Sequence, residues 1–266
     1  MLDSPSPVRL DAAGPVATLT LARPQARNAL SSATLAALAD ALDEVAARSD
    51  IRALLIAHEG PAFSAGHDLK EITTRRGDAD RGRAFFVELM AACAGVMTRI
   101  VRMPQPVIAA VEGVATAAGC QLVASCDLAV AGAQARFATP GVNIGLFCST
   151  PMVALSRNVA RKHAMEMLLT GEMIDAEHAA RIGLVNKVVA QGRALEAARD
   201  WGDLVASKSA MTLKVGKRAF YEQAEMTLEA AYAHASAVMV ENMLARDAEE
   251  GIGAFVEKRD PSWEHR

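Results

Sequence analysis

The sequence predicts an α/β fold, and three observations carry that expectation. Residues 53–57 and 107–111 are short, continuously apolar runs of strand length, each followed by a small-residue loop and a helical pattern. Such runs fit parallel strands enclosed on both faces. Residues 16–21 alternate as a third strand, whereas the pattern from residue 193 onward is helical only. The expected organisation is therefore an α/β core over residues 1–192 and a helical region over 193–266.

The elements follow in order. After the strand at 16–21, Pro24 and Asn28 mark a loop. Leu35, Leu38, Leu42 and Val45 then recur at helical spacing behind Ser31-Ser32, which offer a cap. The strand at 53–57 leads into Ala62-Phe63-Ser64-Ala65-Gly66-His67-Asp68-Leu69-Lys70. Residues 72–84 are polar and read as a solvated, mobile loop. The strand at 107–111 runs through Gly113 and the small residues 115–119 into a helical stretch from Cys120 to Ser125. Residues 184–189 read as a last short strand, and 225–250 as one long helical stretch.

Composition sets bounds on function. The chain has 266 residues, 52% of them hydrophobic, enough for a large core. A net charge of −3, with two Trp and two Tyr, argues against nucleic acid as a partner. The first seven residues lack the pattern of a signal or transit peptide, and no apolar run reaches membrane-spanning length, so a cytoplasmic location without a membrane span is expected. Cys93, Cys120, Cys126 and Cys148 have no metal-ligand spacing and read as reduced, buried thiols.

Two small-residue loops at strand ends, 62–70 and 113–119, let backbone N–H groups approach a ligand closely. With a helix dipole behind them they favour negative charge on an oxygen. Together with Arg23-Pro24, Asn28-Ala29-Leu30, Phe137-Ala138-Thr139-Pro140-Gly141, Leu168-Leu169-Thr170-Gly171 and residues 179–185, these loops resemble the crotonase superfamily, the enoyl-CoA hydratase/isomerase family, over nearly the whole chain. The resemblance is nearest to the branch called enoyl-CoA hydratase domain-containing proteins.

The resemblance implies a spiral of β-β-α units with a C-terminal helical trimerisation region, and a homotrimer or a hexamer of two trimers. Met226, Leu228, Val238, Met239, Val240, Met243 and Leu244 either supply that contact or pack on their own core. It implies an acyl-CoA substrate, fatty acid metabolism and lyase or isomerase chemistry, with no cofactor, because CoA belongs to the substrate. The oxyanion-hole N–H groups would come from His67 and Ala118. The two family glutamates would fall at Gln121 and Gly141, and neither carries a carboxylate. General acid/base assistance is worth ~10²–10⁴ in rate, whereas each oxyanion donor is worth ~10²–10³. Binding and enolate stabilisation are therefore better supported than hydration, and a non-catalytic acyl-CoA-binding or regulatory protein is the alternative.

By the same resemblance Arg23 would contact the nucleotide end of CoA, with Lys258 and Arg259 as further candidates for its phosphates; the alternative for each is a solvated surface charge. Ala65, Asp68, Leu69, Phe147 and Cys148 would line the substrate path. His67 either replaces the missing acid/base or gives only its N–H. Cys148 is either a nucleophile or a packing residue, and Gln121 either hydrogen-bonds substrate or satisfies the backbone. Glu112 would structure the loop.

Overall fold

The computed structural model describes residues 6–266. Residues 1–5, on which most of the leader reading rests, lie outside the described part. In chain order the elements are β1 (Val8–Asp11), β2 (Val16–Leu21), α1 (Ser32–Ala47), β3 (Ala53–His58), β4 (Ala62–Ser64), α2 (Leu69–Arg75), α3 (Arg83–Arg102), β5 (Val107–Val111), β6 (Val114–Thr116), α4 (Ala118–Ser125), β7 (Leu128–Gly132) and β8 (Arg136–Ala138). There follow α5 (Pro151–Asn158), α6 (Arg161–Thr170), β9 (Ile174–Asp175), α7 (Ala176–Arg181), β10 (Lys187–Val189), α8 (Ala194–Ala206), α9 (Ala210–Gln223), α10 (Leu228–Met243) and α11 (Arg246–Glu257).

Two sheets share the strands. The larger has the order β1-β2-β3-β5-β7-β10, and the smaller β4-β6-β8-β9. Each of the pairs β3-β4, β5-β6 and β7-β8 sends its first strand to the large sheet and its second to the small one. This repetition is the spiral of β-β-α units. Parallel pairing runs from β2 through to β10, with β1 antiparallel at the edge.

The continuous apolar runs are explained by cover on both faces. Leu54, Ile56, Val107 and Ala109 join the cluster formed with α1, α3 and α4, whereas Leu55, Ile108 and Val130 pack on the opposite face. That second face is closed by Ala194, Ala197 and Ala198 of α8, whose small side chains let the helix lie close. By packing, α8 belongs with the core although it follows residue 192.

The predicted helix behind Ser31 is α1. Ser31 Oγ accepts the Thr34 N–H at 3.2 Å, and Leu35, Leu38, Leu42 and Val45 are buried. Three expectations are corrected. Residues 72–84 are not one loop: they contain the end of α2 and the start of α3, joined by turns at 76–82 in which Asp80 accepts the N–H groups of Gly82 and Ala84. The long stretch at 225–250 breaks into α10 and α11, because Ala245 takes an extended conformation. Of residues 184–189 only 187–189 form a strand, while Leu184 and Val185 are buried beside it. In addition, α3 has the length and apolar composition to cross a membrane, contrary to the sequence expectation. Its stripe Leu89, Cys93, Val96, Met97 and Ile100 is buried, however, and joins the core cluster that contains α1.

A buried polar clamp joins α9 to the core. Lys217 Nζ donates to Ile100 O (2.8 Å), Gln105 O (2.9 Å) and Asp127 Oδ2 (2.7 Å). The Tyr221 hydroxyl donates to Asp127 Oδ1 at 2.9 Å. Beyond it α10 has no buried residue, and Leu228, Met239, Val240, Met243 and Leu244 are exposed.

Candidate active site

The first loop, between β4 and α2, is held from several sides. Leu30 donates its N–H to Gly66 O (2.8 Å), Ala65 donates to Arg27 O (3.0 Å), and Gly66 donates to Ser64 Oγ (3.3 Å). Buried Asn28 organises the facing turn by donating from Nδ2 to Glu59 O and Ala62 O and accepting the Arg23 N–H at 2.8 Å. The sequence showed Asn28 only as a loop marker; its short polar side chain and left-handed φ of 50° suit the task. Asp68 caps α2, accepting from Lys70 N and Glu71 N.

The second loop joins β6 to α4 through Ala117. This residue has φ 51° and ψ −120°, a conformation costly for a side chain, and its N–H is donated to Ala138 O at 3.0 Å. Ala118, the first residue of α4, then has an N–H with no intrahelical acceptor.

The two loops meet. A Cβ placed on Gly66 would lie 2.9 Å from Ala117 Cβ and 3.3 Å from the Ala118 nitrogen. One placed on Gly119 would lie 2.2 Å from Ser64 O. The Gly66-His67 segment therefore lies against the start of α4, and neither the His67 nor the Ala118 N–H finds an acceptor among the described residues. Two free donors beside a helix N-terminus favour an anionic oxygen.

The His67 ring packs toward Leu30. Its Nδ1 donates to Leu30 O at 3.2 Å, leaving Nε2 a buried acceptor without a partner. Burial pushes its pKa down, against smaller opposing effects of Leu30 O and Glu71, which favours the neutral imidazole. Gln121 is buried, and its Oε1 accepts from Cys93 Sγ at 3.9 Å, a weak sulfur contact.

Gly141 follows Pro140 at the start of a short 3-10 turn. A Cβ there would lie 2.6 Å from Leu146 O and 2.9 Å from Cys148 Sγ, so the space beside it is filled. Burial raises the Cys148 thiol pKa against a weaker Gly141 backbone contact, and lifts Cys120 to about 12. These are conditions for inert thiols rather than nucleophiles. Thr139, fully buried, keeps an unpartnered hydroxyl in the same turn, which sequence pattern gave no means of finding.

Phe147 and Leu69 are exposed. Arg23 donates to Ser31 Oγ at 2.9 Å and stands 3.8 Å from Asp68 Oδ2, which puts it beside the first loop. Lys258 caps α11, and no hydrogen bond or ion pair among the described residues ties it to that loop. Glu112 accepts the N–H groups of Gly192 and Ala194, capping α8. A cavity of about 620 Å³ lies elsewhere, between the end of α1 and the residues after it, residues 104–106, the start of α9 and Glu264 with His265, and none of these site residues lines it.

With this fold and these loops established, the chain is identified as a member of the enoyl-CoA hydratase/isomerase family, whose profile matches residues 11–266. Within it the chain falls in the branch of the enoyl-CoA hydratase domain-containing proteins. It is 48% identical over 250 residues to the mitochondrial enoyl-CoA hydratase domain-containing protein 3 of Rattus norvegicus, covering 94% of this chain and 82% of the relative. The crystal structure of the human enoyl Coenzyme A hydratase domain-containing protein 3 superposes with a TM-score of 0.92 at 46% identity, covering 97% of this chain and 100% of that one. An enoyl-CoA hydratase of Mycobacterium smegmatis gives 0.91 at 50% identity, covering 97% and 98%.

These relatives overturn the expected cytoplasmic location: at 47–48% identity the rat and human proteins are named mitochondrial. The expectation rested on the first seven residues, and segments that address a chain are separate from those that build its fold.

Proposed function

We propose that the chain binds an acyl-CoA thioester and stabilises its enolate through the N–H groups of His67 and Ala118. The observation that carries this reading is the close approach of Gly66 to Ala117 and Ala118, with both N–H groups free. A thioester oxygen seated there accepts two hydrogen bonds that strengthen as negative charge develops. Arg23 and Lys258 contact the CoA phosphates, while Ala65, Asp68, Leu69, Phe147 and Cys148 line the path. The working unit is a homotrimer, consistent with the exposed apolar residues of α10.

Ordinary hydration is weak. Gln121 does not titrate, and the space beside Gly141 holds Leu146 O and Cys148 Sγ rather than a carboxylate. Loss of acid/base assistance lowers the rate by at least ~10². The same two positions favour a second reading, a non-catalytic acyl-CoA-binding protein in the same family.

Crotonyl-CoA hydration, followed by loss of the enoyl absorbance with CoA-ester binding measured in the same preparation, tests the first reading. Binding with hydration at background is the expected result; hydration at an ordinary enzymatic rate refutes the reading of Gln121 and Gly141. A panel of enoyl, 3-hydroxyacyl and malonyl-type CoA esters separates the two readings. Turnover of any ester, abolished by a bulky residue at Ala118, supports the enzyme, and binding without turnover supports the binding protein.

A further inference from the structure

Three metal-binding side chains converge where α6 meets α7. His163 and Glu166 are three residues apart on α6 and so project from one face; His163 Nδ1 stands 3.6 Å from Glu166 Oε2. His178, in the first turn of α7, meets the His163 ring edge-on, with centroids 6.0 Å apart and planes at 88°. One ligand atom from each residue lies within 4.8 Å of the other two. Ligand atoms sharing one tetrahedral zinc ion are about 3.3 Å apart, given bonds of about 2.0–2.2 Å. The His163–Glu166 edge is already near that spacing, and rotation of the exposed His163 and Glu166 side chains toward half-buried His178 closes the rest.

We infer that His163, Glu166 and His178 form a binding site for a zinc-like divalent ion. Two imidazoles and one carboxylate supply three ligands of the kind zinc prefers, and water fills the remaining position. Both supports are rigid. Ala164, Met167 and Leu168 anchor α6 in the interior. Asp175 caps α7 by accepting the His178 N–H at 2.7 Å, which fixes the backbone that presents the ring. The other four histidines make no such group among the described residues. His58 and His67 are largely enclosed, His265 accepts the Ala210 N–H at 3.2 Å, and His234 faces Glu222 alone at 3.2 Å.

The ion would tie α6 to α7 across residues 171–175. A Cβ on Gly171 would lie 3.0–3.1 Å from Val142, Asn143 and Pro140, so this brace adjoins the turn that carries Gly141. It is independent of the acyl-CoA reading.

The test is calorimetric titration of the protein, free of any histidine tag, with zinc chloride, together with cobalt(II) absorption spectra. One ion per chain is expected, with His163→Ala and His178→Ala each weakening binding by more than about tenfold and His234→Ala binding as the parent does. Circular dichroism confirms that these surface variants keep the fold. No heat and no cobalt band in the parent protein, or binding unchanged in His163→Ala or His178→Ala, overturns the assignment.

Discussion

Gly119 is the residue on which the meeting of the two loops depends. Its missing side chain leaves room for Ser64, whose carbonyl oxygen would lie 2.2 Å, and whose Cβ would lie 2.8 Å, from a Cβ placed there. Because the opposing atoms are mostly backbone, they cannot swing aside, and the strain has to separate β4 from α4. Gly119→Ala should therefore lower stability by about 1–3 kcal/mol in a urea melt and weaken CoA-ester binding in parallel. Gly216→Ala serves as the contrast, since nothing lies within 4 Å of that position in α9. It should be stabilised by roughly 0.5–1 kcal/mol through helix propensity. Equal effects of the two substitutions would show that the approach of the loops has no energetic weight.

Among the helices, α9 is attached chiefly through polar groups. The Lys217 and Asp127 side chains are 7% and 15% exposed, so the pair is shielded from water and strengthened by the backbone acceptors of Ile100 and Gln105. Burial lowers the Lys217 pKa, and the facing Asp127 charge opposes that shift. Removing one partner strands the other, a loss of about 3–5 kcal/mol for a buried pair. Asp127→Ala should lose stability in that range and release α9, seen as amide exchange in residues 210–223 rising well above that of β3. Unchanged protection in α9 would mean that apolar contacts, and not the clamp, hold it.

Across the whole molecule, the C-terminal helices leave several large apolar side chains in water. Leu244 is 77% and Phe255 84% exposed, with Met239, Val240 and Met243 nearby in the chain. The α10 residues do not fold back on the core, since that helix has no buried position. Self-association is therefore expected in sedimentation equilibrium, in line with the proposed homotrimer. Charge placed in that surface, as in the double substitution Val240→Glu with Leu244→Glu, should shift the mass toward the monomer without unfolding the core. A monomer in the parent protein would refute the interface reading.

Much of this protein was legible without coordinates. Hydrophobic runs at 53–57 and 107–111 identified the enclosed strands, because burial on both faces leaves no polar positions to alternate. The cap at Ser31 and the small residues of both loops were equally plain, since local chemistry writes them, whereas the cap that Asp68 provides for α2 appears only in the structure. Pattern could not show that Cys148 and Leu146 occupy the space beside Gly141, or that the His67 ring turns to Leu30. Nor could it show that His163, Glu166 and His178 converge. Each depends on which way a side chain projects from elements distant in sequence, and only packing fixes that direction. The sequence determined the enclosed strands, the helix behind Ser31 and the small-residue make-up of the two loops; tertiary structure decided where the other helices begin and end and what those loops face, because the spiral brings them together from separate turns.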